Sequence, residues 1–92
     1  MKEPQAEKLN IAFLQILATL DQTAAFVRDH DTEENWLKYR KAVAHAMGEV
    51  IGLGNALYFR FPGLKPKQIG GTYEVDSSIY EPRFYQSEKQ DT

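Results

Sequence analysis

The sequence predicts an all-α chain: an antiparallel two-helix hairpin followed by an extended C-terminal tail. Apolar residues recur at helical spacing over two segments of about 25 residues each, separated by a short polar break. Six of the ten prolines and glycines lie beyond residue 61, where they favour turns over helices. The chain has 92 residues, which suits a single domain covering residues 1–92.

The first helix is predicted over about residues 5–28. Pro4 suits its first turn, where the missing N–H of proline costs nothing. At 100° per residue, a core-facing stripe about 100° wide contains Leu9, Phe13, Ile16, Leu17, Leu20, Ala24 and Val27. A second, thinner stripe lies nearly opposite and contains Ile11, Leu14, Ala18 and Ala25. Two apolar stripes predict that this helix contacts more than one neighbour.

The second helix is predicted over about residues 32–58. The polar break before it ends at Asp31, which suits an N-cap, and Glu34 stands three residues later as in a capping box. Pro62 and Gly63 end any helical continuation. One broad apolar face of this helix contains Trp36, Tyr39, Val43, Ala46, Met47, Val50, Ile51, Leu57 and Tyr58. The short connection between two such helices predicts an antiparallel hairpin.

The irregular tail, residues 62–92, is predicted to be ordered although it contains several turns. Disordered segments are poor in large apolar and aromatic residues. Six such residues lie between positions 73 and 85 of the tail: Tyr73, Val75, Ile79, Tyr80, Phe84 and Tyr85. Residues 72–75 alternate in polarity and predict a short strand. Residues from about Ser87 onward are expected to fray.

A two-helix hairpin alone leaves about half of each apolar face exposed, and exposed stripes of this size indicate an interface. The sequence therefore predicts a homodimer in which two hairpins form a four-helix bundle. The alternative is that the tail folds back over its own hairpin. The expected docking surface is then the second stripe of the first helix, beside the small residues at positions 44–56 of the second helix. Candidate interface residues come from both helices and the tail: Leu14, Ala18, Ala44, Gly48, Gly52, Ala56, Tyr73, Tyr80, Phe84 and Tyr85.

Four small residues, Ala44, Gly48, Gly52 and Ala56, recur every four positions of the second helix and form what we call the small-residue line. Such a line lets another backbone or an aromatic ring come close. Each glycine in a helix interior costs about 1 kcal/mol relative to alanine, so these glycines require a reason. One interpretation is a groove for a partner helix or a ligand. The other is tight packing inside the bundle.

No catalytic, cofactor or metal site is predicted. The chain has no cysteine and two histidines, and it contains no glycine-rich phosphate loop. Lys41, His45 and Glu49 stand one helical turn apart, a spacing that suits either metal and acid–base chemistry or a solvated ion-pair ladder. We favour the ladder, because the first helix offers no second histidine–carboxylate pair. The predicted function is therefore not enzymatic.

Charge and hydropathy narrow the class of partner. The formal net charge of -2 argues against a general binder of nucleic-acid backbones. The most apolar stretch, residues 11–20, is shorter than the about 20 residues that cross a bilayer. We therefore expect a small cytoplasmic homodimer that acts as a protein-interaction or regulatory module and does not bind a membrane.

Two alternative functions stay open. The first is a nucleic-acid-associated factor that uses the basic and aromatic segment 58–67, through Arg60, Lys65 and Lys67. The second, less favoured, is a metal-binding or enzymatic helical bundle built on His45 and Glu49.

Overall fold

The computed structural model describes residues 1–87, which form two long helices and a tail of short turns. Helix α1 runs over Glu3–His30 and helix α2 over Glu33–Arg60. Three 3₁₀ turns follow, at Pro62–Leu64, Lys67–Ile69 and Ser77–Tyr80. Residues 1–87 contain no strand, so the predicted all-α fold with two long helices is confirmed. The molecule measures 45 × 26 × 21 Å, the elongated shape of a hairpin.

Both helices extend beyond their predicted ends. Helix α1 begins two residues before residue 5 and ends two residues after residue 28, and α2 ends two residues after residue 58. Pro4 lies in the first turn of α1, as predicted. The Gln5 side chain accepts a hydrogen bond of 2.8 Å from the backbone N–H of Lys2. This contact satisfies a donor that the start of a helix leaves free.

The break between the helices is shifted by one residue from its predicted position. The backbone N–H of Asp31 donates to the Val27 carbonyl at 2.9 Å, so Asp31 completes the last turn of α1. The N-cap of α2 is Thr32, whose hydroxyl oxygen accepts a hydrogen bond of 3.2 Å from the backbone N–H of Asn35. The prediction of Asp31 as the N-cap is therefore wrong.

The hairpin core lies at the base of the molecule, where α1 begins and α2 ends. Its centre consists of Ala6, Leu57 and Leu64, each at most 5% exposed. Four partly buried aromatic residues pack around this centre: Phe13, Tyr58, Phe61 and Tyr73. Because residue 6 near the start of α1 packs with residue 57 near the end of α2, the helices run antiparallel. The helical hairpin is thus confirmed.

The tail first turns back beside the base. Tyr73 donates its backbone N–H to the Lys65 carbonyl at 2.9 Å and accepts a hydrogen bond of 3.0 Å from the Lys67 N–H. Gly71 allows this close approach, since a Cβ there would collide with the Lys65 carbonyl. The predicted strand at 72–75 is therefore only one isolated bridge. It ends because the paired segment curls at once into a 3₁₀ turn.

Residues 71–87, which we call the strap, then pack along α1, so the tail folds back over its own hairpin. Ile79 in the strap and Leu14 on α1 are both buried. Nearer the tip, where α1 connects to α2, three successive backbone N–H groups of residues 83–85 donate to the Gln22 Oε1 atom at 2.8–3.2 Å. A single amide oxygen therefore fixes the path of the strap.

The end of the strap is held at the tip of the hairpin. The hydroxyls of Tyr85 and Ser87 both donate to the Asp29 carboxylate. Ser87 is 7% exposed, so the expectation that fraying begins at Ser87 is wrong. The rest of that expectation concerns residues 88–92, which lie outside the described residues.

Candidate interaction surfaces

The two apolar stripes of α1 lie in different surroundings. The second stripe faces the strap: Leu14 is buried, and Ala18 shares a surface depression with Tyr80 and Tyr85. The far edge of the first stripe remains open, with Ile16 46% exposed. The strap therefore covers one side of the hairpin and leaves the other uncovered.

A groove of about 190 Å³ lies on the uncovered side, between α1 and α2, and we call it the open groove. It is lined by Met1, Leu9, Phe13, Leu53, Ala56, Leu57 and Arg60. Leu53 is 57% exposed and Leu9 is 37% exposed. Large apolar side chains gathered in an exposed groove form the kind of patch that contacts another molecule.

The apolar face of α1 beside this groove continues toward the tip without a charge. At 100° per residue, Leu9, Ile16, Leu20 and Val27 lie within about 40° of one another. No Lys, Arg, Asp or Glu of α1 falls in that sector. From Leu9 to Val27 the face is about 27 Å long at 1.5 Å per residue. We call this uncharged surface, together with the open groove, the open face.

The small-residue line lies on the outer side of α2, away from α1. Ala44, Gly48, Gly52 and Ala56 are all exposed. A Cβ atom built on Gly48 or Gly52 meets nothing within 4 Å. Residues 1–87 therefore place no neighbour against these two glycines, so tight packing within a single hairpin is not their explanation. Of the four residues, Ala56 also lines the open groove.

A buried polar contact that sequence analysis missed joins α1 to the end of α2. Asn10 is fully buried, donates from Nδ2 to the Leu64 carbonyl at 3.0 Å and accepts from the Tyr58 hydroxyl at 2.6 Å. Burial raises the pKa of Tyr58, and the nearby Tyr80 raises it further. The available signal was a lone asparagine one helical turn before Leu14, inside an apolar stretch.

Tyr73, a predicted interface residue, binds within its own chain. Its hydroxyl donates to the Glu7 carboxylate at 2.7 Å. Burial raises the pKa of Tyr73 to about 12, and the hydrogen bond and charge of Glu7 act in the same direction. Tyr73 thus anchors the start of the strap to the first turns of α1.

The other predicted tail residues lie further along the strap. Tyr85 packs edge-on against the Phe26 ring, with ring centres 5.1 Å apart, and contacts His30. Phe84 also contacts Phe26 but is 53% exposed. Tyr80 is 46% exposed. The structure therefore brings Tyr85 into an aromatic cluster at the tip and leaves Phe84 and Tyr80 half in contact with solvent.

The acidic tip is occupied by contacts within the chain. Asp29 accepts hydrogen bonds from Ser87, Tyr85 and Arg28, which hold its pKa far below the usual range of an aspartate. Asn35 and the Thr32 backbone lower the pKa of Asp31 in the same way. Asp29 therefore anchors the strap, and Asp31 stabilises the turn between the two helices.

Arg60, Lys65 and Lys67, the three cations of the nucleic-acid alternative, contact other groups of this chain and do not form one continuous basic surface. Lys67 pairs with Glu74 at 2.8 Å, and this contact lowers the pKa of Glu74. The Arg60 guanidinium lies 5.5 Å from the centre of the Phe61 ring. Lys65 is half-buried in the turn that bridges to the strap.

The residues considered for chemistry do not line the open groove, although Glu49 stands one helical turn before Leu53. Lys41, His45 and Glu49 are exposed on α2. Across residues 1–87, no group of three or more His, Asp or Glu residues is arranged to hold a metal ion. This surface therefore offers no assembled metal centre.

Helix α1 is more apolar than the prediction from residues 11–20 suggested. A stretch of 18 residues within it is long and apolar enough to cross a membrane, and 11% of that stretch is buried. The core helices of soluble proteins and signal sequences have the same length and composition, so these two properties do not assign α1 to a membrane.

Comparison with protein-family models, with curated proteins and with solved structures gives no match to this chain.

Proposed function

We propose that this chain is a homodimeric protein-interaction module that acts through its surface and not by catalysis. The observation that supports the proposal is the open face, on which Leu53 and Ile16 are about half exposed although the opposite side of the hairpin is covered by the strap. A second copy would bury this face and complete a four-helix bundle.

The chain exposes enough surface for an interface with a second copy. It exposes 6506 Å², whereas a compact monomer of 10.5 kDa exposes about 5,400 Å². The elongated shape of 45 × 26 × 21 Å contributes to this excess. The excess is on the order of 1,000 Å², comparable with the about 800 Å² that each partner loses in a standard interface.

Charge favours an antiparallel arrangement of the two copies. The tip carries Asp31, Glu33 and Glu34, whereas Arg60 lines the open groove near the base. A twofold axis near the middle of the open face would place the acidic tip of one copy near Arg60 of the other. The α1 sector from Leu9 to Val27 between them carries no charge, so it can pack against its own copy without bringing like charges together.

Light scattering tests the proposal. We expect the parent protein at micromolar concentration to have twice the 10.5 kDa mass of one chain. Leu53→Glu places a charge in the open groove and should give the monomer mass, with the helix content retained in far-ultraviolet circular dichroism. Phe59→Glu is the matched control, because Phe59 is 90% exposed on the outer side of α2. It should leave the mass unchanged.

Two outcomes would overturn this assignment. A parent protein that scatters as a single chain at all concentrations contradicts the homodimer. A monomer produced by Phe59→Glu but not by Leu53→Glu would place the interface at the small-residue line.

The proposed setting is the cytoplasm, and the proposed function involves neither a membrane nor a nucleic acid. Salt-dependent retention on a DNA or RNA column would instead support the nucleic-acid alternative.

A further inference from the structure

A second cavity, of about 210 Å³, lies on the covered side of the hairpin between α1, α2 and the tail. We call it the tail cavity. Phe13 lies on its α1 wall, Ile51 and Tyr58 on its α2 wall, and Ile69 and Tyr80 on its tail wall. Its walls thus come from three separate parts of the chain.

The absence of a side chain at position 54 keeps part of this space unfilled. Gly54 lies in α2, is buried and lines the tail cavity. A Cβ there would lie 3.5 Å from the Tyr58 ring, an ordinary van der Waals contact. The chain's own packing therefore does not require glycine, although glycine is a poor residue in a helix interior.

The lining restricts the chemistry of an occupant. No charged residue lines the tail cavity, and most of its walls are aliphatic or aromatic. Polar groups come only from the amides of Asn55 and Gln68 and from two tyrosines. Charged molecules would lose their hydration without a compensating partner, so the lining selects for neutral ones. Phe13, Tyr58 and Tyr80 offer ring faces and edges to an aromatic molecule.

We propose that the tail cavity is a binding site for a small neutral aromatic molecule of about one or two rings. The size is appropriate, because an apolar protein cavity of about 150 Å³ takes up benzene. Of the residues that line this site, only Phe13 also lines the open groove, so the two sites are otherwise built from different side chains.

Indole is a suitable probe for this site, and the full-length chain is the protein to use. At free indole ten times its Kd, the melting temperature should rise by roughly 6–11 °C. Gly54→Leu fills the tail cavity and should abolish this rise. Gly54→Ala adds one methyl group at ordinary contact distance and should weaken indole binding about fourfold. The alanine variant keeps the test valid if the leucine variant fails to fold.

Gly52→Leu is the matched control. It makes the same substitution in the same helix, but a side chain there points into open space away from the tail cavity. It should bind indole as the parent does. The proposal is overturned if indole does not raise the parent's melting temperature, or if Gly54→Leu and Gly52→Leu respond equally. Light scattering of the same samples reports the dimer separately.

Discussion

The two sides of the hairpin both present apolar residues but differ in their polar contacts. On the covered side, α1 presents polar side chains at intervals that bind the tail: Glu7, Asn10, Gln22 and Asp29. On the open side, the sector from Leu9 to Val27 presents no charge. On the covered side, hydrogen bonds fix the tail along one path. On the open side, a partner would be recognised by its shape and its apolar area.

This difference explains why the strap lies where it does. Apolar burial is not directional, so the larger first stripe alone would attract the tail at least as strongly as the thinner second stripe. Hydrogen bonds to Glu7, Gln22 and Asp29 fix the strap on the second stripe at its start, middle and end. The open face is left for a partner that needs no such anchors.

Removal of the tail should have the largest effect. Truncation after Pro66 removes Ile79 and Tyr73 from the covered side, and we expect the free energy of unfolding to fall by roughly 3–5 kcal/mol. Thermal melting and binding of an apolar-surface dye check this. A chain that ends after Ser87 is the control, since it keeps every described contact. If truncation after Pro66 leaves the melting temperature unchanged, the strap does not stabilise the covered side.

The Asn10 contact should have the next largest effect. Asn10→Ala leaves the Leu64 carbonyl and the Tyr58 hydroxyl without their partner in a buried site, which should cost about 2–3 kcal/mol in chemical denaturation. Tyr58→Phe removes only the second hydrogen bond and should cost about 1 kcal/mol. On the open side, Ile16→Ala made in the monomeric Leu53→Glu chain should cost only about 1 kcal/mol, because Ile16 is 46% exposed when no second copy covers it. Equal losses for Asn10→Ala and Ile16→Ala would contradict the contrast between the sides.

Acid should weaken the strap anchor at Asp29. Hydrogen bonds from Ser87 and Tyr85 lower the pKa of Asp29 below its ordinary value of 3.8, so the folded state favours the charged carboxylate. This contribution is present above about pH 4 and is lost progressively as the pH falls below that value. The melting temperature of the parent should therefore exceed that of Asp29→Asn near neutral pH, and the difference should shrink below about pH 4. A difference independent of pH would show that the charge of Asp29 does not matter.

The helices were predictable because their signals are local. Pro4, the polar break and Pro62 mark the ends of two apolar periodic segments, and the structure places both helices close to these marks. The strand at residues 72–75 was not predictable, since pairing depends on where a partner segment runs. The misplaced N-cap has a similar cause: Asp31 and Thr32 are both good caps, and the last turn of α1 uses Asp31.

The surfaces were predictable only in part. Periodicity gives two stripes on α1, and the tail lies on the second, where the sequence predicts its docking surface. The small-residue line, predicted to lie beside that surface, has no neighbour within 4 Å of Gly48 or Gly52. Gly54 drew attention as a third glycine in the interior of the second helix, but the tail cavity that it lines depends on three segments that meet only in the folded chain. The sequence left a partner groove and packing inside a bundle as interpretations of Gly48 and Gly52, and the single hairpin places no neighbour within 4 Å of either.

The smallest expected effect concerns the outer side of α2, which neither the strap nor α1 covers. Gly48→Ala should raise the free energy of unfolding by about 1 kcal/mol, because alanine is the better helix former and its Cβ meets nothing within 4 Å. Gly71→Ala, where a Cβ would collide with the Lys65 carbonyl, is the contrasting control and should destabilise the fold. Chemical denaturation over a range of protein concentrations checks both. If Gly48→Ala instead loses stability and the loss grows with concentration, a second chain packs on the small-residue line, and the interface lies there and not on the open face.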